Sequence, residues 1–237
     1  MGVIIFNGFS SADKGIQIES PPNYEFPEKD YEFVHIPGKS GDIVIDKGSY
    51  KNVNRNYDIS VGSYDGDFTV LANGISEWLH SANGYARLED SYEPDYYRMA
   101  VYNEGISIEN ILMRAGRATI SFNCKPQRFL KTGEEPITFN NSGLIYNPTV
   151  FASLPVVTIR GNGAGVLRIG SYAINILDVS DYMVIDSSIQ DAYRDTTNLN
   201  ASISLVNGFP KLLPGKNEIS FSGEITSVEV IPIWWTL

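Results

Sequence analysis

Apolar and polar residues alternate with a period of two along most of the chain, which is the pattern of β-strands with one buried face. The clearest example is residues 120–125, where Ile120, Phe122 and Cys124 share one parity and polar residues take the other. We expect Pro126 to end the strand pairing here, because proline lacks a backbone N–H. The polar, turn-forming residues that follow indicate the exit from a first domain.

One segment departs from this period and predicts an α-helix over about residues 68–80. Its large apolar residues recur at helical spacing and would form a single stripe, which consists of Phe68, Leu71, Ile75, Trp78 and Leu79. Such a stripe packs against a sheet, and strands are predicted on both sides of the helix. The first domain is therefore predicted to be a sheet system with one helix.

Beyond residue 130 the pattern predicts almost only strands, separated by turn residues every 8–12 positions or so. This spacing is typical of an antiparallel β-sandwich. The glycine-rich segment 160–165 is interpreted as a hairpin turn, since a nucleotide-binding loop would lead into a helix. We therefore predict two domains, residues 1–130 and residues 131–237, in a mainly β protein.

Residues 37–55 have the least capacity to order themselves. Fixing their backbone costs about 1–2 kcal/mol per residue, and burial of their five apolar side chains returns at most about 1.5–3 kcal/mol apiece. The segment is thus either a flexible loop or an arm that docks on another subunit. The residues predicted for the arm interface are Pro37, Gly38, Lys39, Ser40, Gly41, Asp42 and Tyr50. Residues 31–36, just before it, are predicted to be a half-buried strand.

Charge and cysteine content narrow the possible functions. The formal net charge of −10 argues against binding of a phosphate backbone, which requires clustered Lys and Arg. The single cysteine, Cys124, excludes an intramolecular disulfide and a cysteine-cluster zinc site, and we expect a buried thiol in a reducing compartment. No apolar run approaches the ~20 residues of a membrane span, and the N-terminus does not resemble a signal peptide. Folding in a cytosol, without a membrane partner, is expected.

No motif in the chain indicates a reaction, a cofactor or a metal site. Nucleophile elbows, zinc-protease motifs and phosphate-binding loops are absent from the sequence, and His35 and His80 have no motif partner. We therefore predict no catalytic, cofactor-binding or metal-binding residues. An enzyme whose two carboxylates are brought together only by the fold remains an alternative.

The tryptophans Trp234 and Trp235 allow a second alternative, because aromatic rings can stack on sugar rings. Neighbouring residues of a strand face opposite sides, so one indole is expected to be buried and the other partly exposed. The alternative function is a carbohydrate-binding β-sandwich for adhesion to a cell wall.

Short segments in a fixed order along nearly the whole chain resemble the distal tail protein (Dit) family of long-tailed phages and prophages of Gram-positive bacteria. They are FNGFSSADKGI at 6–16, IPGKSG at 36–41, GYARL at 84–88, FNCKPQRF at 122–129, LPGKN at 213–217 and IPIWW at 231–235. One departure is Lys39, where the family more often has arginine. Lysine lacks the two-pronged guanidinium, which weakens any charged contact at that position.

The resemblance implies a fold: an N-terminal β-sandwich with one helix and an extended arm, followed by a galectin-like antiparallel β-sandwich. It implies that segment 37–55 is the arm and that it embraces a neighbouring subunit. The segment 122–129 becomes the joint between the two domains. Its joint residues are predicted to be Cys124, Lys125, Pro126, Arg128 and Phe129, with Lys125 and Arg128 making inter-domain contacts.

The resemblance also implies a role. Members of this family form a homo-hexameric ring at the tip of the tail, in a virion assembled in the bacterial cytoplasm. The ring links the tail tube and tape measure proteins to the tail-associated lysin and to the receptor-binding or baseplate proteins, and DNA passes through its lumen. The acidic composition fits a pore that must not hold DNA. Such a part is structural and is not an enzyme.

Overall fold

The computed structural model describes residues 2–62, 68–105, 109–111 and 115–237. The chain folds into two compact units, one formed by Met1–Arg128 with Leu237 and the other by Phe129–Thr236. Most described residues with regular structure lie in antiparallel strands, which confirms the prediction of a mainly β fold.

Ten strands precede residue 131 in the described part of the chain. They are β1 (Ile4–Phe6), β2 (Phe9–Ser10), β3 (Ile16–Ile18), β4 (Lys29–Val34), β5 (Ile43–Tyr50), β6 (Val53–Gly62), β7 (Ala86–Asp90), β8 (Tyr96–Val101), β9 (Glu109–Ile111) and β10 (Ala115–Leu130). The helix α1 (Phe68–Leu79) lies between β6 and β7, where the sequence predicts a helix over about 68–80. A 3-10 turn, Ala12–Lys14, connects β2 to β3.

The main sheet of the first unit has the strand order β2-β1-β7-β8-β10-β6-β3, and β9 also pairs with β10. Strict alternation of buried and exposed residues along β6 directs one face of the sheet into a core. In that core Phe6 and Phe122 lie with their ring centroids 4.9 Å apart. The helix contributes Ile75, Trp78 and Leu79 to the same cluster, as its apolar stripe predicts. The side chain of Phe68 lies outside the described residues.

Strand β10 runs past Pro126 to Leu130, but its ladder with β6 ends just before the proline, as the sequence predicts. Its pairing with β6 runs from Ala115 to Cys124, which is paired with Val53, and stops there. The N–H that Pro126 lacks therefore removes no bond to β6, and an extended proline is compatible with a strand at such a position.

The strands of the second unit follow a 3-10 turn at Lys131–Glu134. They are β11 (Ile137–Phe139), β12 (Gly143–Asn147), β13 (Val156–Ile169), β14 (Tyr172–Asp186), β15 (Asp191–Arg194), β16 (Thr197–Asn198), β17 (Ile203–Val206), β18 (Gly215–Ile231) and β19 (Trp235–Thr236). The sheet order is β11-β18-β13-β14-β15-β16, with β12 also on β18 and β17 also on β14.

Three strands of this sheet, β13, β14 and β18, are long and interrupted. The pairing of β13 with both neighbours shifts register between Gly161 and Gly165. A side chain at Gly165 would lie 2.7 Å from the carbonyl oxygen of Ser222, so the backbones approach too closely for a Cβ. Segment 160–165 is therefore a bulge within a strand, and the prediction of a hairpin turn there is wrong; the turn lies at Gly170, between β13 and β14.

The bulges divide the long strands into two halves that share one core. Val157 and Ile159 precede the interruption in β13, Leu167 and Ile169 follow it, and all four are fully buried in the same cluster. A sheet whose halves enclose a common core has sandwich architecture. In the part of the chain that the structure describes, no helix has the length and apolar character needed to span a bilayer.

Candidate interaction surface

The predicted arm forms a two-stranded sheet of its own, made of β4 and β5. Phe33 pairs with Val44 and Val34 pairs with Ile43, with one irregularity near Lys29. We call residues 29–50 the arm hairpin. An isolated two-stranded hairpin is marginally stable in water, so this element is expected to obtain further stability from outside its own two strands.

The arm hairpin exposes apolar side chains on both faces. Directly paired residues lie on the same side, and successive residues alternate. Phe33, which is 63% exposed, and Val44, which is 53% exposed, therefore share one face. Val34 and Ile43 share the other, and both are exposed too. An exposed apolar patch of this kind is typical of an interaction site.

Charged side chains pair along the hairpin but leave the apolar residues uncovered. Lys29 Nζ lies 2.6 Å from a carboxylate oxygen of Asp46, and Lys51 Nζ lies 3.0 Å from Glu28. Hydrogen bonding to Asp46 raises the pKa of Lys29, and the same bond lowers the pKa of Asp46. Exposed pairs of this type contribute little to stability, so they do not provide the stability that the two strands lack by themselves.

The interface residues predicted from the sequence lie mainly at the tip of the hairpin, in its connection 35–42. Gly38 and Gly41 have φ of 84° and 82°, which glycine adopts without strain. The Lys39 N–H donates to the carbonyl of Ile36 over 3.1 Å. The connection is exposed throughout. It comprises the predicted residues Pro37, Gly38, Lys39, Ser40, Gly41 and Asp42, together with Ile36 and with His35, whose Nδ1 lies 3.2 Å from Asp42. The remaining predicted residue, Tyr50, ends β5 and is half-buried.

The extent of the arm differs from the predicted 37–55 at both ends. Residues 31–36 are predicted to be a half-buried strand that precedes the arm, but they are exposed, with 31–34 in β4 and 35–36 in the connection of the arm hairpin. At the other end, Val53 and Arg55 are buried and belong to β6. The apolar pattern of 31–36 identifies a strand but contains no information about which surface covers it.

The predicted joint residues are distributed along the end of β10. Cys124 is fully buried in the core of the first unit, and burial raises the pKa of its thiol to about 12. Lys125 Nζ lies over the ring of Tyr85, 4.9 Å from its centroid. Pro126 is buried and Phe129 is half-buried. Their joint role stays a prediction.

The first unit contains a cluster of buried charges that the sequence pattern does not predict. The side chain of Arg55 is 3% exposed and its Nη2 lies 3.1 Å from carboxylate oxygens of both Asp90 and Glu93. The hydroxyl of Tyr57 donates to Asp90 over 2.6 Å. Burial alone would lower the pKa of Arg55, but Tyr57 and the carboxylates of Asp90 and Glu93 raise it above the ordinary value. Burial and Asp90 likewise raise the pKa of Tyr57.

Two further arginines complete this buried ion cluster through Glu93. Arg98 Nη2 lies 3.3 Å from one carboxylate oxygen of Glu93, and Arg128 donates to the other over 2.6 Å. Arg128 also donates to the carbonyl of Leu237 over 2.6 Å. The available signal in the sequence is parity, since Arg55 occupies an inward position of β6 that an apolar residue would normally fill.

The two tryptophans follow the predicted division into a buried and a partly exposed ring. Trp234 is buried, and Trp235 is half-buried. The ring of Trp235 stacks on Phe151, with centroids 4.4 Å apart, and its indole N–H donates to the carbonyl of Ala152 over 3.0 Å. One face and the polar edge of Trp235 are thus used within the protein.

The described residues contain no cluster of three or more His, Cys, Asp and Glu that could hold a metal ion. The Nδ1–H of His80 donates to the carbonyl of Ser76 over 2.9 Å, and the ring packs edge-on against Tyr102. These contacts give the exposed His80 a structural environment at the end of the helix.

Comparison with solved structures finds this fold in the SPP1 Dit (gp 19.1) protein, presented as a paradigm of the hub adsorption apparatus in Gram-positive infecting phages. The TM-score is 0.75, at 13% sequence identity and with 100% of each chain covered. No known sequence family and no curated protein sequence matches this chain. At so low an identity the likeness concerns the fold, and over its whole length the chain has the fold of that phage hub protein.

Proposed function

We propose that this chain is a structural protein of a phage tail, a hub at the distal end of the tail tube. The observation that carries the proposal is the likeness of fold to a phage hub protein over 100% of both chains. The proposed role needs no reaction and no cofactor. It requires surfaces that hold other proteins, and the arm hairpin is such a surface.

In the proposed hub, six copies form a closed ring in which each arm hairpin docks on a neighbouring copy. Heterologous contacts between identical chains close into a ring when the rotation between neighbours permits it. A docked hairpin would bury Phe33 and Val44, and each large apolar side chain contributes about 1.5–3 kcal/mol when it leaves water. The exposed apolar faces of the hairpin support this arrangement, because the chain itself leaves them uncovered.

The remaining parts of the proposed role concern partners. The ring would join the tail tube and tape measure proteins to the tail-associated lysin and to the receptor-binding or baseplate proteins, in the tip of the virion. Its lumen would let DNA pass, and a net charge of −10 disfavours retention of a polyanion there. The division into two compact units supports a ring-forming domain and a second, galectin-like domain for attachment.

Mass photometry of the purified chain, alone and with tail partners, tests the proposal by measuring the number of copies that associate. The same measurement is made on a variant of the arm hairpin. The double substitution Phe33→Ser and Val44→Ser is expected to weaken association at least about a hundredfold, because two large apolar contacts are lost. The matched control is Val150→Ser, since Val150 is 77% exposed but lies outside the hairpin. A chain that stays monomeric at micromolar concentration and forms no ring with tail partners contradicts the proposal.

A further inference from the structure

We call the main sheet of the first unit with its core the body. Residues 20–28, a segment with no regular structure, connect the body to β4 of the arm hairpin, and we call this segment the arm root. It contains Pro21, Pro22 and Pro27, which lack the N–H groups needed for a strand ladder. Tyr24 and Phe26 in this segment are exposed. Pro22 is the one buried residue of the segment, so the arm root has neither a ladder nor a buried apolar stripe of its own to set its direction.

The buried side chain of Arg55 makes a hydrogen bond to the middle of the arm root. Arg55 Nη1 donates to the carbonyl of Asn23 over 3.1 Å. The guanidinium of Arg55 also lies under the ring of Tyr24, 5.3 Å from its centroid. Between Glu19, whose N–H bonds to Asp58, and Glu28, whose carbonyl accepts from Lys51, the described contacts include no other hydrogen bond to the body.

The position of Arg55 along the chain shows which two segments its bond to Asn23 connects. The chain leaves the body through Asn23 and returns from the arm hairpin into β6, where Arg55 is an early residue. The bond from Arg55 to Asn23 therefore closes the base of the whole excursion. On its other side Arg55 is held by Asp90 and Glu93, each 3.1 Å from its Nη2. The base of the arm is thus fixed to buried carboxylates at the end of β7 and in the turn that follows it.

Stability alone does not account for a buried ion cluster. Removing ions from water is costly, and well-packed apolar residues of similar volume are often equally or more stabilising. A planar guanidinium can bond a carbonyl on one nitrogen and carboxylates on the other, and this fixes the geometry of all three groups. We propose that Arg55 is a positioning residue that sets the direction in which the arm leaves the body. This inference rests on the proposed function, in which the arm docks on a second copy.

Positioning of this kind affects assembly because a pre-oriented arm loses less freedom when it docks. A loosened root leaves the arm hairpin intact, with its β4–β5 pairing unchanged, but lets it point in many directions. The expected consequence is weaker association without loss of the fold.

Distances between spin labels on the arm and on the body test the inference directly. The labels are attached at Ser40→Cys in the tip and Asn56→Cys on the exposed face of β6, and native Cys124 stays unlabelled because it is fully buried. Labelled chains are diluted with unlabelled chains, so that only distances within one copy are measured. We expect one narrow distance distribution in the otherwise unchanged protein and a clearly broader one in Arg55→Lys, since lysine lacks the planar fork.

The matched control is Arg98→Lys, which alters a buried arginine of the same ion cluster that does not contact the arm root. It is expected to leave the distribution narrow. A narrow distribution in Arg55→Lys, or equal broadening in Arg98→Lys, overturns the inference. If Arg55→Lys does not fold, Tyr24→Ala is the variant to measure, because it removes the exposed ring over the guanidinium without disturbing the buried charges. The distance distribution of Tyr24→Ala is expected to broaden, and an unchanged distribution overturns the inference.

Association measured on the same variants separates the inference from the proposed function. Arg55→Lys is expected to weaken association by about tenfold, and Arg98→Lys to leave it within about twofold. Broadening in Arg55→Lys with unchanged association overturns the role of Arg55 in assembly. If the Phe33→Ser and Val44→Ser variant also associates normally, the docking role of the arm fails, while the distance measurement still decides whether Arg55 positions the arm.

Discussion

Two hairpins of this chain have similar strand pairing and opposite surroundings. The hairpin of β13 and β14 lies in the second unit, where inward residues such as Ile159 and Met183 are fully buried. The arm hairpin pairs its strands equally regularly, yet Phe33 and Val44 are exposed. Hydrogen-bonded strand pairing thus forms a hairpin in both cases, but only the hairpin of β13 and β14 has its apolar residues covered by its own chain.

The difference indicates where the missing cover of the arm hairpin lies. A sheet face with alternating apolar residues is stable when another layer removes it from water. In the second unit that layer is the other half of the same bent sheet. The arm hairpin has apolar residues on both faces and no such layer among the described residues, so a second copy is the cover that the proposed ring would supply.

The largest expected difference between the two hairpins is in the free energy of unfolding. Leu167→Ala removes a fully buried side chain from β13 and is expected to cost about 2–5 kcal/mol. Phe33→Ala removes a larger side chain from the arm hairpin and is expected to cost less than about 0.5 kcal/mol in the monomer, since it is already hydrated. Urea unfolding of both variants at a concentration that keeps the chain monomeric measures the two costs. An equally large cost for Phe33→Ala would show that the hairpin is covered by its own chain in solution.

The second prediction concerns the bulge that lets the sheet of β13 and β18 enclose its core. Gly223 has φ of 78°, and a Cβ there would lie 2.5 Å from the carbonyl oxygen of Ala164. We expect Gly223→Ala to cost about 2–4 kcal/mol, because a left-handed backbone and overpacking both oppose the new methyl group.

The control is Gly170→Ala in the turn between β13 and β14, where φ is 56° but no atom lies within 4 Å of the new Cβ. It is expected to cost only about 1–2 kcal/mol, from the backbone conformation alone. Thermal unfolding of both variants measures the difference. Equal costs would mean that the close approach of the two strands at the bulge is not maintained in solution.

The sequence predicts much of the fold, because parity along a strand is a local property. The inward residues of β6 and β10 can be identified from their alternation, with Tyr57, Ile59 and Phe122 as examples, and all three are buried. The same local rule cannot distinguish a turn from a bulge, since both need glycine. This is why segment 160–165 is misinterpreted and why several predicted short strands are halves of β13, β14 and β18.

The candidate site is harder to predict for the same reason. Alternation in residues 31–36 indicates a strand, but whether that strand is covered depends on a partner that the alternation does not specify. The buried ion cluster depends on long-range contacts, because Arg55 meets Asp90 and Glu93 only when β6 and the turn after β7 come together. A charged residue at an inward strand position is the one local sign of such a cluster.

The smallest effect expected is on the pH dependence of the free energy of unfolding. The single native thiol, Cys124, allows a buried strand to be compared with the exposed arm hairpin. Burial raises the pKa of Cys124 to about 12. The folded state therefore keeps this proton at pH values where the unfolded thiol has lost it, so the associated stability is present below the ordinary pKa of a thiol and is lost as pH rises towards 12. At pH 10 the loss is expected to be about 1–2 kcal/mol, measured as the difference in urea unfolding between the native chain and Cys124→Ala.

The control is Val44→Cys on the arm hairpin, introduced in the Cys124→Ala background. Its stability should show no such pH dependence, because an exposed thiol has the same surroundings in the folded and unfolded states. A native chain whose stability relative to Cys124→Ala does not change between pH 8 and pH 10 would mean that β10 is open to water at Cys124, and the contrast between the two regions would be lost.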